Sequence, residues 1–191
     1  MELQKSIESR RAYRSLLPVE ISKDTIEQLS KAAQLAPSCF NNQPWRFVFV
    51  KDRQKLEELF TALSKGNEWA TKSSMIIGVF SKKKFDCLVK KRVYYLFDTG
   101  MAVGLLLLKA TELGLVAHPI AGFDEDKAKE ILKIPEEMRL ITLIIVGKHN
   151  PEIDQILNEN QQKSEKERPP RSPLSDFAFI NEYIEKEPDG E

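Results

Sequence analysis

Three stretches of the chain are apolar on both faces, which is the pattern of strands that are buried on each side. They are residues 45–50 (WRFVFV), 75–80 (MIIGVF) and 140–147 (LITLIIVG), and a shorter apolar run at 116–120 predicts a fourth strand. After Arg46 the first stretch contains only aromatic and β-branched residues. We therefore expect it to lie at the centre of a sheet.

Outside these strands, apolar residues recur at helical spacing. The pattern predicts helices over residues 3–11, 23–35, 55–63, 92–113 and 125–132. Ser22, Asp52 and Asp124 occupy positions where they can cap three of these helices, and Gly114 is placed to end the longest one. This mixture of helices and strands predicts an α+β sandwich with one central sheet.

From residue 150 to residue 173 the chain becomes polar and charged, and three prolines make its last part extended. Ser175 or Asp176 can then start a last helix, which carries Phe177, Phe179, Ile180 and Tyr183. An apolar helix beyond a polar arm has to dock on another surface. That surface belongs either to its own domain or to another subunit.

Composition narrows the classes of function. A length of 191 residues suits one domain over 1–191, and 29 basic against 29 acidic residues leave no net charge to attract nucleic acid or a membrane surface. The apolar run at 101–108 is shorter than the roughly 20 residues of a membrane-spanning helix. Residues 1–11 lack the apolar core of a signal peptide. We therefore expect a cytoplasmic protein that binds neither nucleic acid nor a membrane.

The cysteines and histidines indicate little chemistry of their own. Cys39 and Cys87 form no CxxC motif, so we expect free thiols in a reducing compartment. A redox role for Cys39 would need a resolving partner, and the neighbouring sequence offers none. With only His118 and His149, no metal site is expected. We interpret His118 as a structural histidine at a strand end rather than as a catalytic acid.

Two arginine clusters point to a phosphate. Arg10 and Arg14 share one face if their segment is helical, with Arg11 beside them, and Arg168 and Arg171 lie on the proline-rich arm. The planar guanidinium group is the preferred side chain for bidentate phosphate recognition. The first cluster alone is better interpreted as a solvated basic patch. Two clusters together could clamp one phosphate.

Two loops could face a ligand. Residues 33–45 (AQLAPSCFNNQPW) leave a helix at Pro37 and present small polar side chains before Trp45. Residues 119–124 (PIAGFD) join a strand to a helix, and Gly122 there allows close backbone approach beside free N–H groups. Taken singly, each could equally be an ordinary connection between elements.

In their order along the chain, these segments resemble the FMN-dependent nitroreductase family, of the NAD(P)H:FMN oxidoreductase type. Residues 9–22 (SRRAYRSLLPVEIS) look like the family's RRSxRxF-x-P-V opening, and residues 33–45 contain a close match to its APSSxNxQPW signature. Residues 168–177 (RPPRSPLSDF) are similar to its closing R-x-x-R-x-P-L segment. Asp98 and residues 119–148 also follow the family pattern, so the resemblance covers nearly the whole chain.

The resemblance implies a nitroreductase-like sandwich, in which helices flank a mainly antiparallel sheet and two chains intertwine as a homodimer with FMN at their interface. Residues 150–191 would form a C-terminal arm that reaches the other subunit. The implied enzyme passes a hydride from NAD(P)H through flavin N5 to a nitroaromatic, quinone or similar acceptor by a ping-pong mechanism. No side chain is expected to act as a nucleophile or metal ligand, because the cofactor carries the chemistry.

Site residues follow from the resemblance by position. The phosphate ligands would be Arg10, Arg168 and Arg171, with Arg11 near the ribityl chain and Arg14 beside the pyrimidine edge of the flavin. The loop that the other subunit lays against the cofactor would contribute Pro37, Ser38, Cys39, Asn41 and Gln43. The flavin ring would be contacted by Asn67 and by a strand end that contains Pro119, Ile120 and Gly122.

Two departures keep other interpretations open. Ala12 stands where the family often has a phosphate-binding serine, and Ala121 stands where some members have an acidic residue. A flavin-binding storage, sensing or regulatory module with little turnover is therefore one alternative. A flavin-dependent dehalogenase-like relative is another, but such relatives carry lid insertions, and the sequence shows no obvious lid.

Overall fold

The fold is built around one sheet, and a computed structural model describes it for residues 2–185. The helices are α1 (Leu3–Ser9), α2 (Lys23–Gln34), α3 (Arg53–Phe60), α4 (Tyr95–Glu112), α5 (Glu125–Leu132) and α6 (Glu159–Lys166). The strands are β1 (Leu16–Leu17), β2 (Arg46–Val50), β3 (Met75–Ser81), β4 (Leu88–Val89), β5 (Arg92–Val93), β6 (Val116–Ile120) and β7 (Arg139–His149). Short 3₁₀ segments occur at Cys39–Asn41, Glu68–Lys72, Lys83–Phe85 and Leu174–Asp176.

The longest strand, β7, lies at the centre of the sheet, and every pairing is antiparallel. It pairs with β3 along one side and with β6 along the other, the short β1 pairs with its last two residues, and β2 pairs with β3. β4 and β5 form a separate hairpin. The expected α+β sandwich with a mainly antiparallel central sheet is confirmed.

The prediction of a central strand at residues 45–50 is wrong, because within residues 2–185 β2 pairs only with β3 and lies at an edge of the sheet. Its two faces are apolar because each belongs to a different hydrophobic core. Phe47 and Phe49 pack on one side of the sheet, and Val48 and Val50 pack on the other. A strand with apolar residues on both faces is therefore buried on both faces of the sheet. The pattern does not show whether another strand pairs with each of its edges.

Two hydrophobic cores lie on opposite faces of the sheet. In one of them, Leu29 of α2 and Leu106 of α4 pack with Ile144. In the other, Leu59 of α3 and the residues of α5 pack with Ile145. Adjacent residues of a strand point to opposite faces, so both isoleucines are fully buried and β7 has a continuous apolar sequence.

The side-chain caps expected at three helix starts are confirmed. Ser22, Asp52 and Asp124 each accept a hydrogen bond from the backbone N–H three residues further on. Each such bond satisfies one of the N–H groups that a helix start leaves without an intrahelical partner. These caps fix where α2, α3 and α5 begin.

The longest helix, α4, spans 18 residues and begins at Tyr95 rather than at residue 92, because the preceding residues form β5. Gly114 follows its end in a left-handed conformation with φ 73°, which glycine adopts without steric cost. Neither α4 nor any other helix within residues 2–185 is long and apolar enough to cross a bilayer.

The segment predicted as an extended polar arm contains a helix. α6 begins with a reciprocal capping box, in which Asn158 accepts from the Gln161 N–H and the Gln161 side chain accepts from the Asn158 N–H. Leu157, immediately before this helix, is buried in the core below α3. The first part of the arm therefore belongs to the chain's own core.

The predicted last helix from Ser175 or Asp176 is wrong. Only the 3₁₀ segment Leu174–Asp176 forms there, and the chain continues without a helix to residue 185. Several apolar side chains of this tail are exposed, because the single chain offers them no surface to cover them: Leu174, Phe177, Ile180, Tyr183 and Ile184. The final residues of the expected arm, 186–191, lie outside the described residues.

The expectation of free thiols is also wrong. A disulfide joins Cys39 to Cys87 across 48 positions of the sequence, with their Cα atoms 6.1 Å apart. This separation is ordinary for a disulfide. Cys87 is thus the partner that the sequence around Cys39 does not reveal. The fold places the two residues side by side, and no local motif predicts this.

Candidate functional site

Three guanidinium groups come together beside the end of α1. Burial lowers the pKa of Arg10, and the positive charges of Arg168 and Arg171 lower it further. Arg168 donates hydrogen bonds to the carbonyl oxygens of Glu8 and Arg10, so a residue 158 positions away in sequence is fixed against this segment. Like charges held together disfavour their own charged forms, and an anion between them would reverse that effect.

Arg14 lies half-buried beside these groups. Its guanidinium carbon is 5.8 Å from the centroid of the Trp69 ring, an arrangement in which the ring face attracts the cation. Burial lowers the pKa of Arg14, and the nearby Glu165 carboxylate partly offsets the effect. The aromatic ring thus helps to fix the position of Arg14.

His118 lies below Trp69, with the two ring centroids 4.8 Å apart. Burial lowers the pKa of His118 to about 4, with a smaller lowering from Arg14 and Arg10. Its Nδ1 atom is 3.1 Å from the Tyr13 carbonyl oxygen, which can only accept, so Nδ1 carries the proton of the neutral ring. His118 is therefore neutral at neutral pH and supports the arginine segment, in agreement with its interpretation as a structural histidine.

Arg11 contacts α6 and not the other arginines. Its guanidinium donates to the carbonyl oxygens of Ser164 and Glu165, at 2.6 and 3.2 Å, and lies 4.6 Å from the centroid of the Tyr13 ring. Carbonyls near a helix C-terminus lack intrahelical partners, so a cation is favoured there. These contacts hold the Arg11 side chain against α6 of the arm. Arg10, Arg168 and Arg171, by contrast, lie together at the end of α1.

Glu165 is the residue that joins the arm to the site, and the sequence analysis missed it. Its buried carboxylate accepts from the backbone N–H groups of Arg14 and Ser15, at 2.8 and 3.2 Å. His149, whose ring stacks on Tyr13, is 4.0 Å from the same carboxylate. A glutamate in a polar segment is normally on the surface, and the sequence of α6 has no apolar face that would mark Glu165 as buried.

Asn67 and Gly122 form a close contact at the strand end. The Asn67 amide donates to the Gly122 carbonyl oxygen at 2.9 Å, and a Cβ atom on Gly122 would lie only 2.5 Å from Asn67 Nδ2. A side chain at residue 122 would therefore displace the Asn67 amide from this position. The structure brings together Asn67 and Gly122, which the sequence places 55 positions apart.

The preceding residues, Pro119 and Ile120, belong to β6. Ile120 is buried in the core, and its carbonyl oxygen accepts a hydrogen bond from the Thr142 hydroxyl. Pro119 is partly exposed and pairs with Ile144 of β7. Of this strand end, Pro119 and the residues after Ile120 are the part that a ligand could reach.

The loop of residues 37–45, called the site loop below, is held by its own hydrogen bonds. Ser38 accepts from the Gln43 N–H at 2.9 Å, and the Gln43 amide lies within hydrogen-bonding distance of Asn41. The Cys39 N–H donates to the Asp98 carboxylate at 2.6 Å. This N–H is therefore already bound within the chain, whereas the Asn41 side chain stays near the surface.

Pro37 connects the site loop with the arginine segment. Together with Arg10 it lines an apolar groove of about 580 Å³ that runs along Met101 and Leu105 of α4. The rest of the site loop bonds to the N-terminal part of α4 and to the β4–β5 region instead. One chain thus presents two groups of expected site residues, the arginine group and the site loop, with an open apolar groove between Arg10 and Pro37.

The comparisons with known proteins agree with this architecture. The model of the nitroreductase family matches residues 7–76 and 67–148. A protein of Archaeoglobus fulgidus is 30% identical over 161 residues, covering 80% of this chain and 88% of its own, and carries the provisional name NADH dehydrogenase/NAD(P)H nitroreductase. The structure observed here is an α+β sandwich, and the chain belongs to the nitroreductase family.

Two further matches show the range of the family. An iodotyrosine deiodinase of Haliscomenobacter hydrossis is 28% identical over 175 residues, which cover 76% of this chain and 78% of its own. A solved structure described as an oxidoreductase containing FMN superposes with a TM-score of 0.83 at 28% identity, over 95% of this chain and 92% of that chain.

Proposed function

We propose that this protein is an FMN-dependent oxidoreductase that transfers a hydride from NAD(P)H to a nitroaromatic, quinone or similar acceptor. The observation that carries the proposal is the convergence of Arg10, Arg168 and Arg171, three fixed cations that an anionic phosphate would complement. The FMN named in the description of the similar oxidoreductase structure, and the NAD(P)H named for the Archaeoglobus relative, support the choice of cofactor and donor.

In this proposal each group of residues has a part in binding FMN. Arg10, Arg168 and Arg171 bind the phosphate. Arg14, fixed over Trp69, lies beside the pyrimidine edge of the flavin and stabilises negative charge there. The Asn67 side chain covers the Gly122 backbone and donates to its carbonyl oxygen, so Asn67 would be the group that a flat ring meets at this strand end.

Bound FMN would supply the hydride chemistry, and the chain's residues would supply position and charge. Contact with the Trp69 ring orients Arg14, so its charge acts from a fixed position. His118 is excluded as the proton donor in this proposal, because its pKa of about 4 leaves it neutral at neutral pH. An acceptor stacked on the flavin would therefore take its proton from water or from the cofactor.

We also propose that the functional site is completed by a second copy of the chain. Exposed apolar side chains follow α1, the outer face of α4 and the C-terminal tail, and monomers rarely expose apolar surface in contiguous patches of this kind: Leu3, Ile7, Leu96, Phe97, Leu105, Leu174 and Phe177. In a homodimer, the site loop of one copy would lie against the cofactor that the arginine group of the other copy binds.

A second candidate reaction is reductive dehalogenation of an aromatic substrate by the same flavin. The observation that favours it is the iodotyrosine deiodinase among the relatives. Iodotyrosine and a quinone are therefore both tested as acceptors. Because NAD(P)H donors are produced inside cells, the cytoplasm is the proposed location for either reaction.

The proposal is tested by the visible absorption spectrum of the purified protein before and after anaerobic addition of NADH or NADPH. We expect flavin bands that bleach with one of the donors and return when a quinone is added. Bound flavin that does not bleach would favour a storage or sensing module. No flavin band after incubation with FMN would contradict the proposal as a whole.

A further inference from the structure

The Cys39–Cys87 disulfide joins the site loop to the hairpin of residues 87–94, which is called the hairpin below. Within the part of the chain described here, β4 and β5 pair only with each other and not with the central sheet. Lys90 and Lys91 of its turn and Arg92 of β5 are exposed. The hairpin therefore depends on its ends for its attachment to the protein.

Noncovalent attachment of the hairpin is slight. Asn42 of the site loop donates to the Asp86 carboxylate at 3.3 Å and lies 3.3 Å from Cys87 Sγ. The Tyr94 N–H donates to the Cys87 carbonyl oxygen, which closes the base of the hairpin upon itself. A segment with few buried contacts opens at a low free energy, so the covalent bond is its principal link to the site loop.

Energetically unfavourable features occur on both sides of the disulfide that joins the site loop to the hairpin. On the loop side, Phe40, Asn41 and Gln43 all have positive φ, and the Phe40 side chain is 89% exposed. Left-handed backbone is unfavourable for residues other than glycine and persists where surrounding contacts impose it. These three residues are directly adjacent to Cys39 or within four positions of it, so the disulfide is one of the contacts that hold them.

On the hairpin side, two carboxylates are crowded together. Asp98 is only 1% exposed, and burial raises its pKa; the Cys39 N–H opposes this rise, and a side-chain hydrogen bond with Asp86 and the charge of Asp86 add to it. Asp86 Oδ2 is buried and has no hydrogen-bond donor among the described residues. Movement of the hairpin away from α4 would separate these two acidic groups and expose Asp86 to water.

We propose that Cys39 and Cys87 form a reversible redox site, whose reduction by a dithiol releases the hairpin from the site loop. A thiolate of the reductant attacks one sulfur of the disulfide, forms a mixed disulfide and displaces the other cysteine, which takes up a proton. The second thiol of the reductant then displaces the first cysteine. In sum, the protein gains two electrons and two protons, and the dithiol becomes a disulfide.

This inference takes the cytoplasmic location from the proposed function, but it does not depend on FMN binding. Disulfides are rare in reducing compartments unless they are catalytic or redox-sensing, so a disulfide in a protein proposed for the cytoplasm is expected to be reversible. The geometry also points to a consequence for the candidate site. Cys39 lies inside the site loop, so the same reduction frees both the hairpin and one fixed point of that loop.

The test combines thiol counting with limited proteolysis of the full chain, without denaturant. We expect the oxidised protein to have no titratable thiol and the protein reduced by dithiothreitol to have two per chain, with unchanged circular dichroism. Trypsin should then cut after Lys90, Lys91 or Arg92 at least tenfold faster in the reduced protein. Cleavage after Lys65, in an exposed turn elsewhere, serves as the internal control and should not change.

Cys87→Ser should be cut at the fast rate whether or not reductant is present. If that variant folds poorly, wild-type protein reduced and capped with iodoacetamide under native conditions replaces it. Equal cleavage rates in the two redox states, or thiols that appear only in denaturant, would overturn the proposal.

Discussion

At the scale of single residues, the charge of Arg171 is expected to contribute strongly to FMN binding, although this side chain lies on the surface. It lies near Arg10, with Arg168 beside it, and repulsion among the three favours any anion that binds between them. Replacing Arg171 by alanine removes a charge-assisted hydrogen bond to the phosphate. We expect FMN binding to weaken by about 1.5–3 kcal/mol, measured by quenching of flavin fluorescence.

The control for this substitution is Arg139→Ala. Arg139 is equally a surface arginine, but it pairs with Glu125 at the start of β7, away from the arginine group. We expect its replacement to leave FMN affinity unchanged. Equal affinities for both variants and the wild type would contradict the role proposed for Arg171.

A second prediction at this scale concerns His118 and pH. Its pKa in the folded protein, about 4, lies below the unfolded value of about 6.5, so the unfolded state binds more protons between these values. The free energy of unfolding therefore keeps its full value above pH 6.5. It decreases as the pH falls towards 4, because His118 takes up a proton in the unfolded chain before it does so in the folded one. A difference of this size corresponds to about 3 kcal/mol.

His118→Asn isolates this contribution, because the asparagine amide nitrogen takes the position of Nδ1, can donate to the Tyr13 carbonyl oxygen and does not titrate. Urea unfolding at pH 7.5, 5.5 and 4.5 should show a steeper loss of stability for the wild type than for the variant. Parallel curves would mean that His118 is not held neutral by burial. Other groups, including His149, titrate in both proteins and cancel in the comparison.

At the scale of elements, α6 acts as a brace for the arginine segment. Its Glu165 carboxylate accepts two backbone N–H groups, and its last carbonyls accept from Arg11. We expect Glu165→Gln to destabilise the fold by about 1–3 kcal/mol, because the glutamine amide has one accepting oxygen where the carboxylate has two for these backbone N–H groups. For a chain of this length, thermal unfolding should shift down by about 2–4 °C per kcal/mol.

Glu159→Gln is the matched control on the same helix. Glu159 lies in the exposed first turn of α6, so its replacement should shift the melting temperature little. If the two variants melt together, Glu165 does not hold the arginine segment. If Glu165→Gln also weakens FMN binding while Glu159→Gln does not, α6 positions the phosphate ligands in addition to stabilising the fold.

The elements that the sequence predicts well are those whose signal is local. The caps at Ser22, Asp52 and Asp124 and the termination at Gly114 each need only a few neighbouring residues, and all four are confirmed. α6 is different, because its sequence lacks an apolar face. Its capping box is a local signal that periodicity alone overlooks.

What the sequence could not predict depends on distant partners. The edge position of β2, the bond between Cys39 and Cys87, and the buried carboxylate of Glu165 are all set by elements far away in the chain. The two arginine clusters themselves suggested a shared phosphate, and the resemblance to the family then assigned roles to the individual residues. The roles of the individual residues in binding FMN remain predictions.

At the scale of the whole molecule, the C-terminal tail has an apolar character that a single chain does not explain. The tail after Pro173 has no helix in the described part, yet Phe177, Ile180 and Tyr183 are exposed. A tail of this composition is stabilised by burial only if another surface covers it. The same reasoning applies to the apolar groove along α4, and a second copy of the chain could cover both.

The last prediction is that a chain ending at residue 172 folds normally but dimerises less tightly. This truncation keeps α6, the buried Leu157, Glu165 and Arg171, and within the described part it removes mostly exposed residues. Burial of large apolar side chains contributes about 1.5–3 kcal/mol each, so the dissociation constant should rise at least tenfold. Analytical ultracentrifugation measures this constant, and circular dichroism checks the fold.

A chain ending at residue 185 is the control, because it retains all the exposed apolar residues of the tail. It should dimerise like the full chain. An equally tight dimer after truncation at residue 172 would show that the tail does not reach the other subunit, and α1 and α4 would then have to form the interface alone. A full-length protein that stays monomeric at high concentration would contradict the composite site, because the site loop would have no second arginine group to face.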